Sequence, residues 1–409
     1  MMQKRFLSIV VVVLACLTAQ AQRTVIGGVV SNAQTGQRLA QVSVAVEGGG
    51  ESVVTNEDGQ FSLKSDREVR RIVVSHVGFQ TQRVSVAQGA GGLLDIRLQP
   101  ATIELREVVV WTGDPRELVG IAIRKIPENY ARQPELMDCF YRETVMKRQH
   151  YISVAEGVVD MYKTAYDRST ARDRVAIRKG RRLLSPRSSD TLSVKVVGGP
   201  VQPIQLDVVK NLDFLFNDEE LANYEFTMQP PEVIDDRQQF VVAITPLLSQ
   251  PYALYFGKFY IDRETLAFRR IELQLDVRDR DKATRYMLMR KPLGVRFRPK
   301  ELSCLIDYRT DDGVTRISYI RNAFRFNCDW RRRLFATSFT ATCELVVTDR
   351  RTVSTSDRPL SGRESFDSRD AFFDKVDYFR DPSFWSDYNI IEPSESLDRA
   401  INRILKRYE

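Results

Sequence analysis

The sequence predicts a mainly β protein with a small N-terminal β-sandwich, a short helix, a large antiparallel sheet and a C-terminal helix. Short runs of alternating apolar residues recur along residues 24–99 and again between 138 and 350. Glycine-containing turns separate many of these runs. Apolar residues at helical spacing are found near 114–132 and at the end of the chain. Together these patterns predict a fold built mainly from antiparallel strands.

The first 21 residues are predicted to be a cleaved export signal. Lys4 and Arg5 precede an apolar run at 6–17, which is shorter than the roughly 20 residues of a membrane span. Ala-Gln-Ala at 19–21 is the small–x–small pattern of a signal-peptidase site. Lipoprotein processing at Cys16 is the alternative, because a loose lipobox precedes that cysteine. We expect an exported mature chain with no transmembrane span, tethered by a lipid at most.

The charge balance does not favour a nucleic-acid partner. The chain has 61 Lys and Arg against 54 Asp and Glu, and no nucleic-acid-reading motif accompanies this modest excess. The densest basic clusters, 178–182 and 331–333, are interpreted as solvated loops. The alternative is a patch that faces anionic lipid or polysaccharide.

Residues 24–99 are predicted to form the sandwich. Val42, Val44 and Val46 alternate with small residues, as in a half-buried strand. Within the stretch TNEDGQF, Asp58 and Gly59 are predicted to form a tight hairpin turn. A calcium loop would need further oxygen ligands at fixed offsets, whereas here a strand follows at once. We therefore expect a structural turn and no metal site.

Three motifs in this region resemble the carboxypeptidase regulatory-like domain. They are TGQRLAQVSV at 35–44, TNEDGQF at 55–61 and SHVGF at 75–79. The resemblance covers residues 24–110 and implies a transthyretin-like, seven-stranded sandwich that is common in exported Bacteroidetes proteins. It is a resemblance to an accessory domain and does not imply peptidase activity.

An active zinc carboxypeptidase is excluded by the number of available ligands. The chain has only two histidines, His76 and His150, and no HxxE or HExxH motif. A similar domain precedes TonB-dependent receptors through a stretch like Glu-Val-Val-Val at 107–110. About 300 residues follow here, too few for a plug and a 22-stranded barrel.

A linker helix is predicted over residues 114–132. Asp114 can cap it, Pro115 suits its first position, and Glu117 stands where a capping-box carboxylate would. Pro127 is expected to mark its end.

Residues 138–350 are predicted to form an antiparallel β-meander. The stretch FYRE at 140–143 resembles a motif of uncharacterised Bacteroidetes envelope proteins. Arg142 and Glu143 are a candidate surface pair with a function; the structural interpretation is an ion pair or polar residues at a strand edge. The hairpin YIDRETLAFRRIE at 260–272 resembles those of the LolA-like outer-membrane lipoprotein-sorting carriers. That resemblance implies a curved sheet, an unclosed barrel, over an apolar cavity.

The C-terminal part is predicted to be a flexible linker over 351–380 and a docking segment over 381–409. Phe384, Trp385 and Tyr388 are candidate docking residues for an apolar groove on the sheet. A final helix follows with one apolar face.

No catalytic, cofactor-binding or metal-binding residue is predicted. The sequence has no GxSxG, P-loop or dinucleotide fingerprint, and no pairing is assigned to Cys139, Cys304, Cys328 and Cys343.

The predicted function is a non-catalytic binding or adaptor protein of the cell envelope, periplasmic or associated with the outer membrane. Its sandwich would contact an envelope protein or glycan, and its curved sheet would hold an apolar ligand such as a lipid. The alternatives are a purely structural envelope module and a carboxylate-based envelope hydrolase.

Overall fold

The computed structural model describes residues 23–86, 92–102, 111–187, 190, 195–196, 198–330, 336–354, 360–361, 365–367, 370–378 and 384–407. The predicted export signal with Cys16, the stretch 107–110 and the arginines at 331–333 lie outside these residues. The fold is mainly β, as predicted, with two small N-terminal sheets, an unclosed eleven-stranded sheet and a C-terminal helix.

The N-terminal region is a seven-stranded sandwich, as the resemblance implied. Its strands are β1 Thr24–Asn32, β2 Ser43–Val46, β3 Ser52–Val54, β4 Gln60–Ser65, β5 Arg71–Ser75, β6 Gln82–Ser85 and β7 Leu94–Leu98. One sheet has the order β4-β1-β7 and the other β3-β2-β5-β6. The alternating valines of β2 pack with Phe61 and Leu63 in a core between the sheets. This is the burial that the period-two pattern predicts.

Two short helices connect the sandwich to the large sheet. They are α1 Pro115–Arg124 and α2 Ile126–Asn129. The Asp114 carboxylate accepts a hydrogen bond from the backbone N–H of Arg116 at 2.8 Å, so the predicted cap is present. Pro127 does not end α1. It lies in the first turn of α2, a position that needs no N–H donor from proline.

The large sheet follows the order β12-β13-β14-β15-β17-β18-β19-β8-β9-β10-β20. Its strands are β8 Glu135–Lys147, β9 His150–Lys163, β10 Arg174–Leu184, β12 Tyr224–Ile234, β13 Arg237–Pro246, β14 Tyr255–Asp262, β15 Phe268–Leu275, β17 Val295–Asp311, β18 Val314–Trp330, β19 Thr337–Thr352 and β20 Asp377–Tyr378. Two short strands, β11 Lys195–Val196 and β16 Leu288–Arg290, pair with each other in a separate sheet. The prediction of one continuous meander is wrong, because β8 pairs with β19 and β20 adds in parallel to β10. Neighbours along the chain cannot reveal such long-range pairing.

The remaining helices lie between β11 and β12, between β15 and β16, and after β20. They are α3 Gln202–Leu206, α4 Leu212–Leu215, α5 Asp218–Leu221, α6 Arg280–Met287 and α7 Glu395–Leu405, with 3-10 turns at Thr170–Arg172 and Phe372–Lys375. No helix among the described residues is long and apolar enough to cross a bilayer.

One face of the large sheet is filled by the chain itself. The segment 202–221 packs Ile204, Val208 and Phe216 against it. At its centre the buried Asp207 accepts hydrogen bonds from Lys163 at 2.6 Å and from the hydroxyl of Tyr308 at 2.7 Å. A buried carboxylate needs such partners, so the polar contacts fix this segment in place.

The prediction that residues 351–380 form a flexible linker is wrong for those of them that the structure describes. Phe366 and Phe372 are buried in the same core as segment 202–221, and Val376 joins them. The backbone N–H of Phe366 donates to the carbonyl of Val175 at 2.7 Å. The Ser-, Arg- and Asp-rich composition concealed the apolar residues that pack. The cysteines 139, 304, 328 and 343 are all free and buried.

Candidate functional site

The candidate site is a cleft between the sandwich and the large sheet. Direct bonds hold the two parts together around it: Ser52 Oγ donates to the carbonyl of Val347 at 2.8 Å, and the backbone N–H of Gly78 donates to the carbonyl of Val233 at 2.8 Å. The backbone N–H of Thr81 also donates to Asp236 Oδ1 at 2.7 Å. Clefts between domains are favoured places for ligand binding.

The cleft has an inner cavity of about 60 Å³ and a wider outer part of about 430 Å³. Five residues line both parts: Ser43, Ser75, Asp235, Arg269 and Arg309. One water needs about 10–15 Å³ on this measure, so the inner cavity has room for a group the size of a carboxylate or phosphate. The outer part lies within the range of about 300–1,000 Å³ typical of small-molecule sites.

Two β-bulges shape the sheet wall of the cleft. Between β14 and β15 the register shifts so that Arg269 has no strand partner, and between β17 and β18 the same happens at Ser318. Adjacent strand residues normally point to opposite faces, but a bulge re-aims one of them. As a result, the consecutive residues Arg269 and Arg270 both line the inner cavity, although they are only 3% and 6% exposed.

Arginine–aspartate pairs give the cleft its charge. Arg269 pairs with Asp235, and Arg270 Nε lies 2.8 Å from Asp307 Oδ1. Burial raises the pKa of Asp307, and Arg270 offsets part of this rise. Each of the two carboxylates is thus paired with an arginine.

Arg309 extends this charge toward the outer cleft. Its Nε donates to Asp311 at 2.8 Å. Burial would raise the pKa of Asp311, but Arg309 and Arg350 outweigh it and lower that pKa.

Three buried polar atoms that line the cleft have no hydrogen-bond partner among the described residues. They are Nη1 of Arg309, Oγ1 of Thr81 and Nε of Arg270, the last of which is ion-paired with Asp307. Unsatisfied buried donors are costly, and in native structures they point to a missing partner. A ligand oxygen would satisfy the guanidinium, which donates hydrogen bonds and never accepts them.

His76 lies directly after β5 and lines the inner cavity. Its ring packs edge-on against Phe79, and its Nδ1 lies 3.0 Å from the carbonyl of Val77. Burial and the charge of Arg270 lower the pKa of His76 to about 4. The imidazole is therefore neutral at pH 7.

We expect His76 to make folding pH-dependent. Because its pKa falls from the unfolded value of about 6.5 to about 4, the unfolded chain binds the proton first between those pH values. The free energy of unfolding should therefore decrease by up to about 3 kcal/mol as the pH falls through this window. His76→Gln should reduce that decrease in urea unfolding measured from pH 7 to pH 4. His150→Gln, which removes an exposed histidine and keeps His76, is the control, and equal profiles for the two variants would contradict the assignment.

The predicted turn residues Asp58 and Gly59 lie away from the cleft. Gly59 has a positive φ of 72°. Asn56 Oδ1 accepts the backbone N–H groups of Asp58 and Gln60, both at 2.9 Å, which closes the turn. Asp58 Oδ2 also accepts the N–H of Glu395 at 2.6 Å, so this carboxylate caps α7.

The prediction that Arg142 and Glu143 form a surface pair is wrong. Successive residues of a strand point to opposite faces, and here both side chains turn to protein. Arg142 is 3% exposed and pairs with the buried Glu156 at 2.8 Å. Glu143 instead accepts from the hydroxyl of Tyr141 and from the backbone N–H of Gly199, both at 2.7 Å, and burial raises its pKa.

The structure brings Phe384, Trp385 and Tyr388 together against the sheet face opposite segment 202–221. Trp385 packs edge-on against Phe140 and donates from Nε1 to Glu156 at 3.0 Å. The side chain of Lys64 in β4 donates to the carbonyls of Trp385 and Tyr388 at 2.8 and 2.9 Å. The tail thus contacts both the sheet and the sandwich.

The cleft arginines were not predicted as site residues from the sequence. Arg269 and Arg270 interrupt an otherwise alternating strand, LAFRRIELQL, and two adjacent charges there are the available signal. Among the described residues, no group of three or more His, Cys, Asp or Glu side chains is placed to hold a metal ion.

The comparisons with known proteins identify the sandwich. Residues 26–110 match the model of the CarboxypepD_reg-like domain, which confirms the predicted resemblance. The match covers about a fifth of the chain. Among curated proteins, none matches this sequence.

Several solved structures match this chain at low similarity. A DUF1329 family protein from Desulfovibrio piger has 10% identity and a TM-score of 0.26, with 60% of this chain and 96% of that chain covered. A protein described as an outer membrane lipoprotein-sorting protein domain, from Vibrio parahaemolyticus, has 9% identity and a TM-score of 0.26, with 60% and 94% covered. A protein described as membrane-associated and of unknown function, from Bacteroides fragilis, has 9% identity and a TM-score of 0.16, with 80% and 98% covered. Similarities this low transfer no function to this chain.

Proposed function

We propose that this chain is a non-catalytic binding or adaptor protein of the cell envelope, and that its ligand carries an anionic group which enters the cleft between the sandwich and the sheet. The observation that carries the proposal is the buried Nη1 of the partly buried Arg309, which has no hydrogen-bond partner among the described residues. Envelope location rests on the export signal predicted for residues 1–21. Periplasmic and outer-membrane-associated forms are both consistent with that signal.

Charge favours an anion in the inner cavity. Three arginines line it, namely Arg269, Arg270 and Arg309, against Asp235 and Asp307. A guanidinium presents its donors in a fixed fork that matches carboxylate and phosphate oxygens. A carboxylate of an acidic glycan or of a peptide end would suit both the charge and the size of the cavity.

Binding is favoured over catalysis because of the residue types in the cleft. Arginine remains protonated in proteins and does not exchange protons with a substrate at neutral pH. The two carboxylates of the inner cavity are already held by arginines. A carboxylate-based hydrolase remains the alternative that Asp307, with its raised pKa, would serve.

The inner face of the curved sheet is a less suitable place for an apolar ligand. Segment 202–221, Phe366 and Phe372 occupy that face. A shallow groove of about 480 Å³ crosses the sheet beside Gly257, with Phe256, Leu305 and Lys258 in its lining. An apolar ligand or a partner segment would bind there instead.

Acidic probe molecules test the proposal. Glucuronate, acetate and inorganic phosphate are titrated into the mature chain while its free energy of unfolding is measured. At ten times the Kd, a ligand that binds only the folded state should add about 1.4 kcal/mol. Arg309→Gln should abolish this increment, and Arg285→Gln, which removes an exposed arginine of α6, should keep it.

The outcomes separate the alternatives. If no probe stabilises the wild type, or if the probes stabilise both variants equally, an anion site in the cleft is ruled out. Either result would favour a purely structural module. Turnover of a glycan substrate that is lost in Asp307→Asn would favour the hydrolase.

A further inference from the structure

Antiparallel pairing gives the large sheet two rims with different properties. The connections at 235–236, 263–267 and 312–313 share one rim, and the sandwich contacts it through Thr81 and Asp236. The connections at 247–254 and 276–294 join the other ends of the same strands. We call this second rim, made of residues 247–254 and 276–294, the distal rim. It faces away from the sandwich.

The distal rim exposes large apolar side chains. Leu247, Leu248 and Met289 are 63%, 52% and 47% exposed, and Leu293 is fully exposed. Half of the eight large apolar residues that are exposed in the described part of the chain therefore lie on these two connections. Lys282 of α6 donates to Ser249 at 3.3 Å, which places the two connections side by side. Clustered exposed apolar residues mark interaction surfaces, whereas scattered ones do not.

The charges of the two rims differ in sign. The connection 276–294 has six basic and three acidic residues, and 247–254 has no charged residue. The three connections of the opposite rim have one basic and four acidic residues. On the distal rim Arg290 and Lys291 are exposed and stand between Met289 and Leu293. Apolar residues interleaved with basic ones suit a surface of anionic headgroups over acyl chains.

The exposure of residues 289–294 would allow their side chains to insert into a bilayer surface. Residues 289–294 are all exposed, and Gly294 has a positive φ of 84° that turns the chain back into β17. Leu293 thus lies in the turn that follows β16, which pairs with β11, and the N–H of Val295 closes this turn by donating to the carbonyl of Pro292 at 3.4 Å. An acidic protein partner would satisfy the basic residues but would leave a fully exposed leucine in this turn without a matching pocket.

We propose that the distal rim binds the surface of an anionic lipid bilayer, with Leu293 and Met289 inserted among the acyl chains and Arg290 and Lys291 at the headgroup phosphates. This inference is independent of the ligand in the cleft. It also orients the molecule, because the sandwich and the cleft would then face away from the bilayer.

Vesicle flotation tests the inference with the mature chain, starting at residue 22. Vesicles of phosphatidylglycerol and phosphatidylcholine at 3:7 should bind it, and binding should weaken in high salt. Each basic residue near an anionic surface contributes about fivefold to partitioning, so the double variant Arg290→Gln, Lys291→Gln should bind roughly 30-fold more weakly. Leu293→Asp should abolish binding. Leu93→Asp changes a leucine of the sandwich that is 80% exposed and should leave binding unchanged.

Three results would overturn the inference. They are no binding of the wild type to the anionic vesicles, equal binding to pure phosphatidylcholine, and wild-type binding by Leu293→Asp. Sedimentation velocity adds a fourth: a concentration-dependent dimer that Leu293→Asp dissociates would assign the distal rim to a second copy of the chain. Circular dichroism of each variant shows whether a loss of binding reflects unfolding.

Discussion

Replacing Glu156 with Gln is expected to lower the free energy of unfolding by about 3–5 kcal/mol. Glu156 is buried and accepts hydrogen bonds from Arg142 and Arg181, each at 2.8 Å, and from Trp385 at 3.0 Å. Burial alone would raise its pKa, but the two arginines and Trp385 outweigh this and lower the pKa. An uncharged amide would leave two arginines without a counter-charge, one of them fully enclosed.

The matched control is Glu301→Gln. Glu301 forms an exposed ion pair with Arg325 at 3.0 Å, and such pairs contribute about 0–1 kcal/mol. Urea unfolding of both variants gives the comparison, and tryptophan emission reports whether Trp385 leaves its site. A loss for Glu156→Gln no greater than for Glu301→Gln would show that the cluster around Glu156 does not anchor the tail.

Gly59→Val is expected to be similarly damaging, with a loss of more than about 3 kcal/mol. Its φ of 72° is strained for a β-branched residue, at about 1–3 kcal/mol. A Cβ at this position would also lie 2.4 Å from the carbonyl oxygen of Val30, which is backbone and cannot move aside without disturbing β1. The free-energy costs of the backbone strain and of the steric overlap therefore add in Gly59→Val.

Gly36→Val separates the two effects. Gly36 has a φ of 71°, but a Cβ there would have no atom within 4 Å. Only the backbone strain should remain, so thermal unfolding should show a clearly smaller loss than for Gly59→Val. Equal losses would mean that the overlap with Val30 relaxes at no cost.

Local chemistry made much of the fold predictable from the sequence. The alternation in β2, the turn at Asp58 and the cap at Asp114 each depend on a few neighbouring residues, so the pattern itself contains the information. The seven-stranded sandwich was predictable because its turns and strand ends resemble a known domain.

The features that were missed depend on contacts between distant parts of the chain. The partner of Arg142 is Glu156 on the next strand, and only the register of β8 and β9 brings them together. The cleft arginines share one wall because of a bulge, which shifts one residue and leaves no clear pattern in the sequence. Pairing of β8 with β19 joins residues some 200 positions apart, beyond the reach of any local periodicity.

The cap that Asp58 provides for α7 links residues 337 positions apart. The chain is synthesised from its N-terminus onward, so the sandwich is made long before residues 393–395, its hydrogen-bond partners in the tail. Asn56 likewise contacts the tail, because its side chain donates to the carbonyl of Pro393 at 3.0 Å. Both Asn56 and Asp58 must face water until residues 393–395 arrive. Contacts this distant in sequence form late, because the intervening chain has to be ordered first. The position of the sandwich against the tail is therefore fixed only after residues 393–395 have been synthesised.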